Sequence, residues 1–302
     1  MKKISIIIPA YNEEEALPAL MERITKFADD TKDYDFEFLF VNDGSKDRTI
    51  ELIKEYREKD KRVCYVDFAR NFGKETAMKA GIDYATGDAV VFLDADLQDP
   101  PEIITEMIKY WEEGYDDVYA QRKSRKGETW MKKFTSKMYY KVLQDLTNVP
   151  IQKDTGDFRL LDRRCVNALK VMNESQRNSK SMFSWIGYKK KAIFYDRDPR
   201  VAGKTKWNYS KLINLAIDGI TSFTTSPLRI STFIAIPTFL VLFVYFIYVI
   251  AKSFIVHQPI QAFQATILLI LFFSGIQIML FGIVGEYLGR IFNETKNRPL
   301  YL

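Results

Sequence analysis

The stretch Ala89-Val90-Val91-Phe92-Leu93-Asp94-Ala95-Asp96-Leu97-Gln98 decides how the rest of the chain is read. Ala89–Leu93 is a short apolar run of the kind buried in a parallel sheet. It ends abruptly in two acids separated by one small residue. Side chains alternate along an extended backbone, so Asp94 and Asp96 leave on one face, with Gln98 two positions further on. Oxygen donors placed this way suit Mg2+ or Mn2+, above all when phosphates complete the shell. Acid pairs of this kind also occur at helix N-caps, and Asp99-Pro100-Pro101 is itself a helix-start signature.

Upstream, β-branched runs alternate with amphipathic stretches. The pattern predicts strands at Ile4–Ile8, Phe36–Val41 and Val63–Phe68, and helices at Glu14–Lys32, Asp47–Asp60 and near Lys74–Ala85. Such alternation predicts an α/β domain with a largely parallel sheet and helices on both faces. Ligands in these sheets sit at the carboxyl ends of the strands. The polar motifs Pro9-Ala10-Tyr11-Asn12-Glu13 and Asn42-Asp43-Gly44-Ser45 fall there, as Asp94-Ala95-Asp96 does. Asn42–Ser45 also reads as a capping turn before the following helix, and the two roles are compatible.

Downstream of about Gly127 the rhythm changes. Glu128–Leu146 mixes Trp130, Phe134, Tyr139 and Tyr140 with lysines, and Trp207–Phe223 is similar. Each reads either as an amphipathic helix lying in a membrane interface or as a surface helix packed on the core. Ile230–Ala251 and Ala262–Gly285 carry no charged residue. At about 1.5 Å per residue either run can cross a hydrocarbon layer of about 30 Å, and a buried soluble hairpin is the alternative. Arg229 flanks one side and Arg290, Lys296 and Arg298 the other, which by the positive-inside rule puts both flanks and the large domain in the cytoplasm.

Composition narrows the chemistry. The 302 residues are 47% apolar with a net charge of +5, and a mean hydropathy of −0.18 averages a charged first part with the two apolar runs. The basic clusters Arg122–Lys141 and Lys189–Lys211 suit anionic lipid heads and phosphorylated substrates, or a solvated face. No nucleic-acid module accompanies them. Cys64 and Cys165 match no metal or redox spacing, which fits a reducing compartment. Met1-Lys2-Lys3 leads straight into a strand without a signal-peptide apolar region. The only histidine, His257, lies between the apolar runs, so there is no histidine base in the domain.

The motifs together resemble the family 2 glycosyltransferases of the GT-A fold. They are Pro9–Glu13, Asn42–Ser45, Arg70-Asn71-Phe72-Gly73-Lys74 and Asp94–Gln98. Within that family the chain is similar to the polyprenyl-phosphate glycosyltransferases, which include dolichyl-phosphate mannose synthases and bacterial bactoprenol glucosyltransferases. Thr155-Gly156-Asp157-Phe158-Arg159-Leu160-Leu161 resembles the family's later active-site strand, and Gly285-Glu286-Tyr287-Leu288-Gly289-Arg290-Ile291 the end of the second span in the two-span bacterial branch.

The resemblance implies a Rossmann-like GT-A domain over residues 1–228, two transmembrane helices within 229–286, and a cytosolic tail over 287–302. By position it implies that Pro9, Tyr11, Glu13 and Asp43 line the nucleotide pocket, with Asp43 reading the base. Asp94 would sit near ribose and sugar, Asp96 and Gln98 would hold the divalent metal, and Asp157 would lie by the transferred sugar. Arg200 and Lys204 would approach the phosphates, and Arg122, Lys132 and Ser136 are candidates for the acceptor phosphate. The processive-synthase signature Gln-x-x-Arg-Trp is missing, with Lys204-x-x-Trp207 in its place.

The expected function is inverting sugar transfer from a nucleotide donor, UDP-glucose being favoured, to undecaprenyl phosphate for cell-surface glycan modification. GDP-mannose and UDP-N-acetylglucosamine are the alternative donors. A non-catalytic sugar-nucleotide-binding or lipid-flipping component is the alternative of another class. The expected setting is the plasma (inner) membrane, multi-pass, with both termini cytoplasmic, and a two-span hairpin is compatible with a homo-oligomer.

Overall fold

In a computed structural model, the alternating runs of the first two hundred residues fold into one seven-stranded sheet. The structure describes residues 1–123, 155–175, 177–198 and 262–302, together with Val244 and Ile247. The strands are β1 (Lys2–Ala10), β2 (Tyr34–Asn42), β3 (Val63–Asp67), β4 (Ala89–Phe92), β5 (Asp117–Arg122), β6 (Thr155–Asp162) and β7 (Lys190–Tyr195). Their order is β3-β2-β1-β4-β6-β5-β7. β1, β2, β3 and β4 run parallel, β5 is parallel to β7, and β6 is antiparallel to both of its neighbours. The expected strands and helices of the first hundred residues are present, their ends displaced by at most three residues.

Each helix is explained by the face it buries. α1 (Leu17–Asp30) buries Leu17, Leu20, Met21, Ile24, Phe27 and Ala28, a stripe at three- and four-residue spacing. α4 (Ile103–Glu112) does the same with Ile104, Met107, Ile108 and Trp111. Between them lie α2 (Thr49–Lys59) and α3 (Lys74–Tyr84), and α5 (Arg163–Lys170) and α6 (Ser179–Trp185) follow β6. β1 and β4 have no exposed residue from Ile4 to Ile8 and from Ala89 to Phe92. Each Ile, Val and Phe side chain among them contributes about 1.5–3 kcal/mol on burial, and this central pair carries the site.

Arg159 on β6 is fully buried, its Nη1 3.0 Å from Asp117 of β5, which is fully buried too. Its guanidinium also lies 4.1 Å over the ring of Phe183. An acid on the adjoining strand and an aromatic face offset part of the cost of burying this arginine, whose Nε and Nη2 have no hydrogen-bond partner among the described residues.

The chain forms two compact units, Met1–Gly219 with Arg298–Leu302, and Ile220–Asn297. In the second, α7 (Ala262–Thr295) is 34 residues long and runs ten residues past the apolar stretch. The continuation is helix-forming sequence braced by a 2.9 Å Arg290–Glu286 pair one turn apart. Ile270, Ile278, Phe281, Leu288, Ile291 and Phe292 are all exposed on it. Among the described residues no helix is long and apolar enough to cross a membrane. Most of the expected first span, Ile230–Ala251, lies outside them, as do the amphipathic stretches Glu128–Leu146 and Trp207–Phe223.

Candidate active site

Topology alone brings the polar motifs to one edge. β1, β2 and β4 end there because they are parallel, and β6 begins there because it is antiparallel to β4. Asp157, near the start of β6, therefore faces the loop that follows β4. Lys74, the first residue of α3, reaches between them: its Nζ lies 2.6 Å from Asp94 Oδ1 and 2.7 Å from Asp157 Oδ2. Burial acting alone would raise Asp157, but the ammonium of Lys74 outweighs it and holds the carboxyl well below the usual range. The same pairing overcomes the opposing effect of burial on Lys74 and holds the lysine above its ordinary value. Asp157 Oδ1 is a buried oxygen with no hydrogen-bond partner among the described residues.

The loop after β4 alternates as an extended chain should. Asp94, Asp96 and Gln98 are partly exposed, while Ala95, Leu97 and Asp99 are buried. Asp96 Oδ1 accepts from the Gln98 N–H at 3.2 Å, and Leu97 adopts a left-handed φ of 56°. A leucine in that region costs of order 1–3 kcal/mol, and such strain clusters at ligand sites. The acid pair is not a helix cap: α4 begins only at Ile103, and its N-cap position is Glu102. Among the described residues no group of three or more His, Cys, Asp or Glu side chains forms a metal cage. Two carboxylates and an amide on one face instead make a partial donor set, the kind a Mg2+ or Mn2+ ion completes with phosphate oxygens. Asp94 is already engaged by Lys74.

Asp43 is buried at the end of β2 and held by the loop before α3. It is only 3% exposed, and its carboxylate accepts from the N–H of Phe72 at 2.6 Å, the N–H of Gly73 at 2.9 Å and Asn71 Nδ2 at 2.9 Å. These amides stand at the N-terminus of α3, where an anion is favoured. Burial raises the Asp43 pKa, and these hydrogen bonds oppose the rise. Gly73 has φ 97°, which favours glycine. Gly44, at φ 63°, lets the two loops touch: a Cβ there would stand 2.3 Å from the Arg70 carbonyl carbon. Asn42–Ser45 forms a local turn, Asn42 Oδ1 accepting from the Ser45 N–H at 3.3 Å, but it does not cap the following helix, whose N-cap position is Arg48 without a side-chain cap.

Pro9 closes β1 opposite Val41. Asn12, at φ 53°, accepts from the Lys46 N–H at 2.8 Å and donates its own N–H to Ser45 Oγ at 3.0 Å. The Glu13 N–H is held by Thr49 Oγ1 at 2.9 Å, and Tyr11 and Glu13 are partly exposed beside it. Arg122 ends β5 at the same edge, paired in register with Tyr195, whose hydroxyl donates to buried Asp99. Asp198 donates its N–H to the Gln98 carbonyl at 3.0 Å. Lys132, Ser136, Arg200 and Lys204 lie outside the described residues.

Lys74 closes one of the motifs that carry the resemblance, but sequence reasoning gave no site role to it or to Glu75. Glu75 accepts from the Ser179 N–H at 2.8 Å and from the Ser179 hydroxyl. The available signal was electrostatic: a lysine at the first position of a helix opposes the helix dipole and needs a partner elsewhere.

The glycosyl transferase family 2 profile matches residues 5–169, spanning β1 to α5. An uncharacterised glycosyltransferase of Synechocystis, sll0501, is 46% identical over 300 residues, covering 99% of this chain and 94% of its own length. The bactoprenol glucosyl transferase of Shigella phage SfX is 41% identical over 300 residues, covering 99% of this chain and 98% of its own. Glucosyl-3-phosphoglycerate synthase from Mycobacterium tuberculosis, solved with Mn2+, UDP and phosphoglyceric acid, superposes with a TM-score of 0.52 at 18% identity over 73% of this chain and 76% of its own, a likeness of fold. The chain belongs to glycosyl transferase family 2 and is a glycosyltransferase.

Proposed function

We propose that this chain transfers glucose from UDP-glucose to a polyprenyl phosphate, inverting the anomeric centre and releasing UDP. The observation that carries the reading is Lys74 held between Asp94 and Asp157 at the edge where the β1, β2 and β4 loops converge. The name of the phage relative, alike over almost its whole length, supports the glucosyl donor and lipid acceptor.

The chemistry asks little of a base. A phosphate monoester is anionic at neutral pH, its second pKa being about 6. Its oxygen forms the bond to the anomeric carbon as the bond to the donor's β-phosphate oxygen breaks, the electron pair leaving with UDP. The protein then has to position the partners and balance charge. Asp157, ionised beside Lys74 and carrying a buried oxygen without a partner, suits a sugar hydroxyl and the positive charge that develops on the ring. Asp94 sits beside the same ammonium on the sugar and ribose side. Asp96 and Gln98 would hold Mg2+ or Mn2+, which when bound neutralises the diphosphate. Asp43 shapes the base pocket through the 71–73 loop, with Pro9, Tyr11 and Glu13 along its other side. Arg122, Lys132 and Ser136 are assigned to the acceptor phosphate, and Arg200 and Lys204 to the donor phosphates.

A polyprenyl tail stays in the bilayer, so its phosphate must be met at the interface. The uncharged runs Ile230–Ala251 and Ala262–Gly285 are assigned to two spans in the plasma membrane, with the catalytic domain on the cytoplasmic side. The exposed Ile270, Ile278 and Phe281 of α7 support this, because water offers them no partner.

The test is a donor comparison on the purified full chain with undecaprenyl phosphate and Mg2+. Labelled UDP-glucose should give a lipid-linked product at least tenfold faster than GDP-mannose or UDP-N-acetylglucosamine. Preference for either competitor would reassign the donor, and no product with any of them would refute the transferase reading of this site.

A further inference from the structure

The segment Arg298–Leu302 belongs to the same compact unit as the sheet, and it docks beside the site rather than trailing away from it. The ring of Tyr301 stacks on buried Phe68, with centroids 5.1 Å apart and planes 19° from parallel. Its hydroxyl donates to Asp83 Oδ2 at 3.0 Å, and its ring lies 6.5 Å from that of Tyr84. The next residue, Leu302, accepts the Ala69 N–H at 2.9 Å through its carbonyl oxygen. Tyr301 therefore joins Phe68, ahead of the 69–73 loop, to Asp83 and Tyr84 at the C-terminal end of α3, and Leu302 holds Ala69 beside it.

What lies between Phe68 and Asp83 is the site. Phe68 meets Phe72 edge to face at 5.6 Å. The Phe72 and Gly73 amides hold the Asp43 carboxylate, and the next residue is Lys74. A buried carboxylate restrained by backbone amides is only as well placed as the loop that supplies them. That loop packs on Gly44 on one side, and Phe68 and Ala69, which lead into it, are held by the 301–302 segment on the other.

We propose that Tyr301 is a positioning residue for the nucleotide pocket: the segment straps down the 68–73 loop, and so fixes Asp43 and the start of α3 for the donor. This rests on the donor reading above for its consequence, though not for its structural part.

The experiment uses the full chain in detergent with Tyr301→Ala and Tyr301→Phe. Hydrogen exchange of the Phe72 and Gly73 amides tests the strap without any ligand. Tyr301→Ala should speed both at least tenfold and leave the β1 and β4 amides unchanged, while Tyr301→Phe, which keeps the stacked ring, stays within about threefold of the parent. Unchanged exchange, or exchange raised equally across the sheet, would overturn the strap. UDP titration then tests the consequence: Tyr301→Ala should raise the Kd for UDP about tenfold and the KM for UDP-glucose in parallel, with kcat within twofold. An unaltered Kd beside faster exchange would overturn the link to the pocket. A parent protein that binds no UDP would refute the donor reading, and the exchange result would still decide the strap.

Discussion

Lys74 Nζ lies 2.7 Å from Asp157 Oδ2, joining the first residue of a helix to an acid 83 positions later that the antiparallel β6 carries to the same edge. The lysine also engages Asp94, so its removal would leave two carboxylates facing each other across the site. Lys74→Met should lower kcat about 10²–10³-fold, the usual size for one lost preorganised charge. Lys74→Arg should retain part of the rate. Steady-state transfer assays check this, and a Lys74→Met enzyme at the parental rate would refute the role given to the pair.

Asp96 is the carboxylate proposed above, with Gln98, to hold the divalent cation. Asp96→Ala should abolish transfer while its unfolding midpoint stays close to that of the parent, since the side chain is partly exposed and outside the core. Unfolding scans beside assays with and without a chelator test this. Undiminished activity in the variant with divalent metal chelated would sink the metal assignment.

Arg159 and Asp117 face each other with no exposure at all. Truncating one partner strands the other's charge in the core, so Arg159→Ala should cost about 3–5 kcal/mol. The double replacement Arg159→Met with Asp117→Leu should recover most of that loss, because it leaves no orphan charge. Denaturant unfolding of the three proteins measures both quantities, and an additive double variant would show that the two residues are not coupled.

Glu37 supplies a pH signature. Burial would raise its pKa, but donors from Ser5, Thr86 and Lys3 more than offset this and hold the carboxyl below its usual value. A depressed folded-state pKa means stability that is fully present above the unfolded value of about 4.3 and is lost as pH falls through the folded value. The stability gap between the parent and Glu37→Gln should be level from neutral pH to about 5 and should narrow in more acid solution. A gap that stays constant down to pH 3 would contradict the assignment.

The β1, β2 and β4 strands were legible because burial on both faces writes itself as an unbroken apolar run, and the loops after them announced themselves by Asn42, Asp43, Asp94 and Asp96. The later half of the sheet was not. β5 and β7 interrupt their apolar residues with Asp117, Gln121, Arg122 and two lysines, and the buried Arg159 of β6 makes sense only once Asp117 lies across from it. Resemblance, not periodicity, singled out Asp157. Lys74 and Tyr301 stayed hidden for the same reason: their partners are fixed by crossover and chain return, which local spacing does not record. Asp43 was rightly placed at the strand end, but only the fold reveals that the α3 amides already hold its carboxylate.

The central claim is sugar transfer onto a lipid phosphate without a general base. It is tested most directly by mass spectrometry and NMR on the lipid formed from UDP-glucose, undecaprenyl phosphate, Mg2+ and the purified full chain. The account predicts one glucose on a polyprenyl monophosphate, in the β configuration inverted from the α-linked donor. An α-linked product, a diphosphate-linked one, or free glucose with no glycolipid would contradict it.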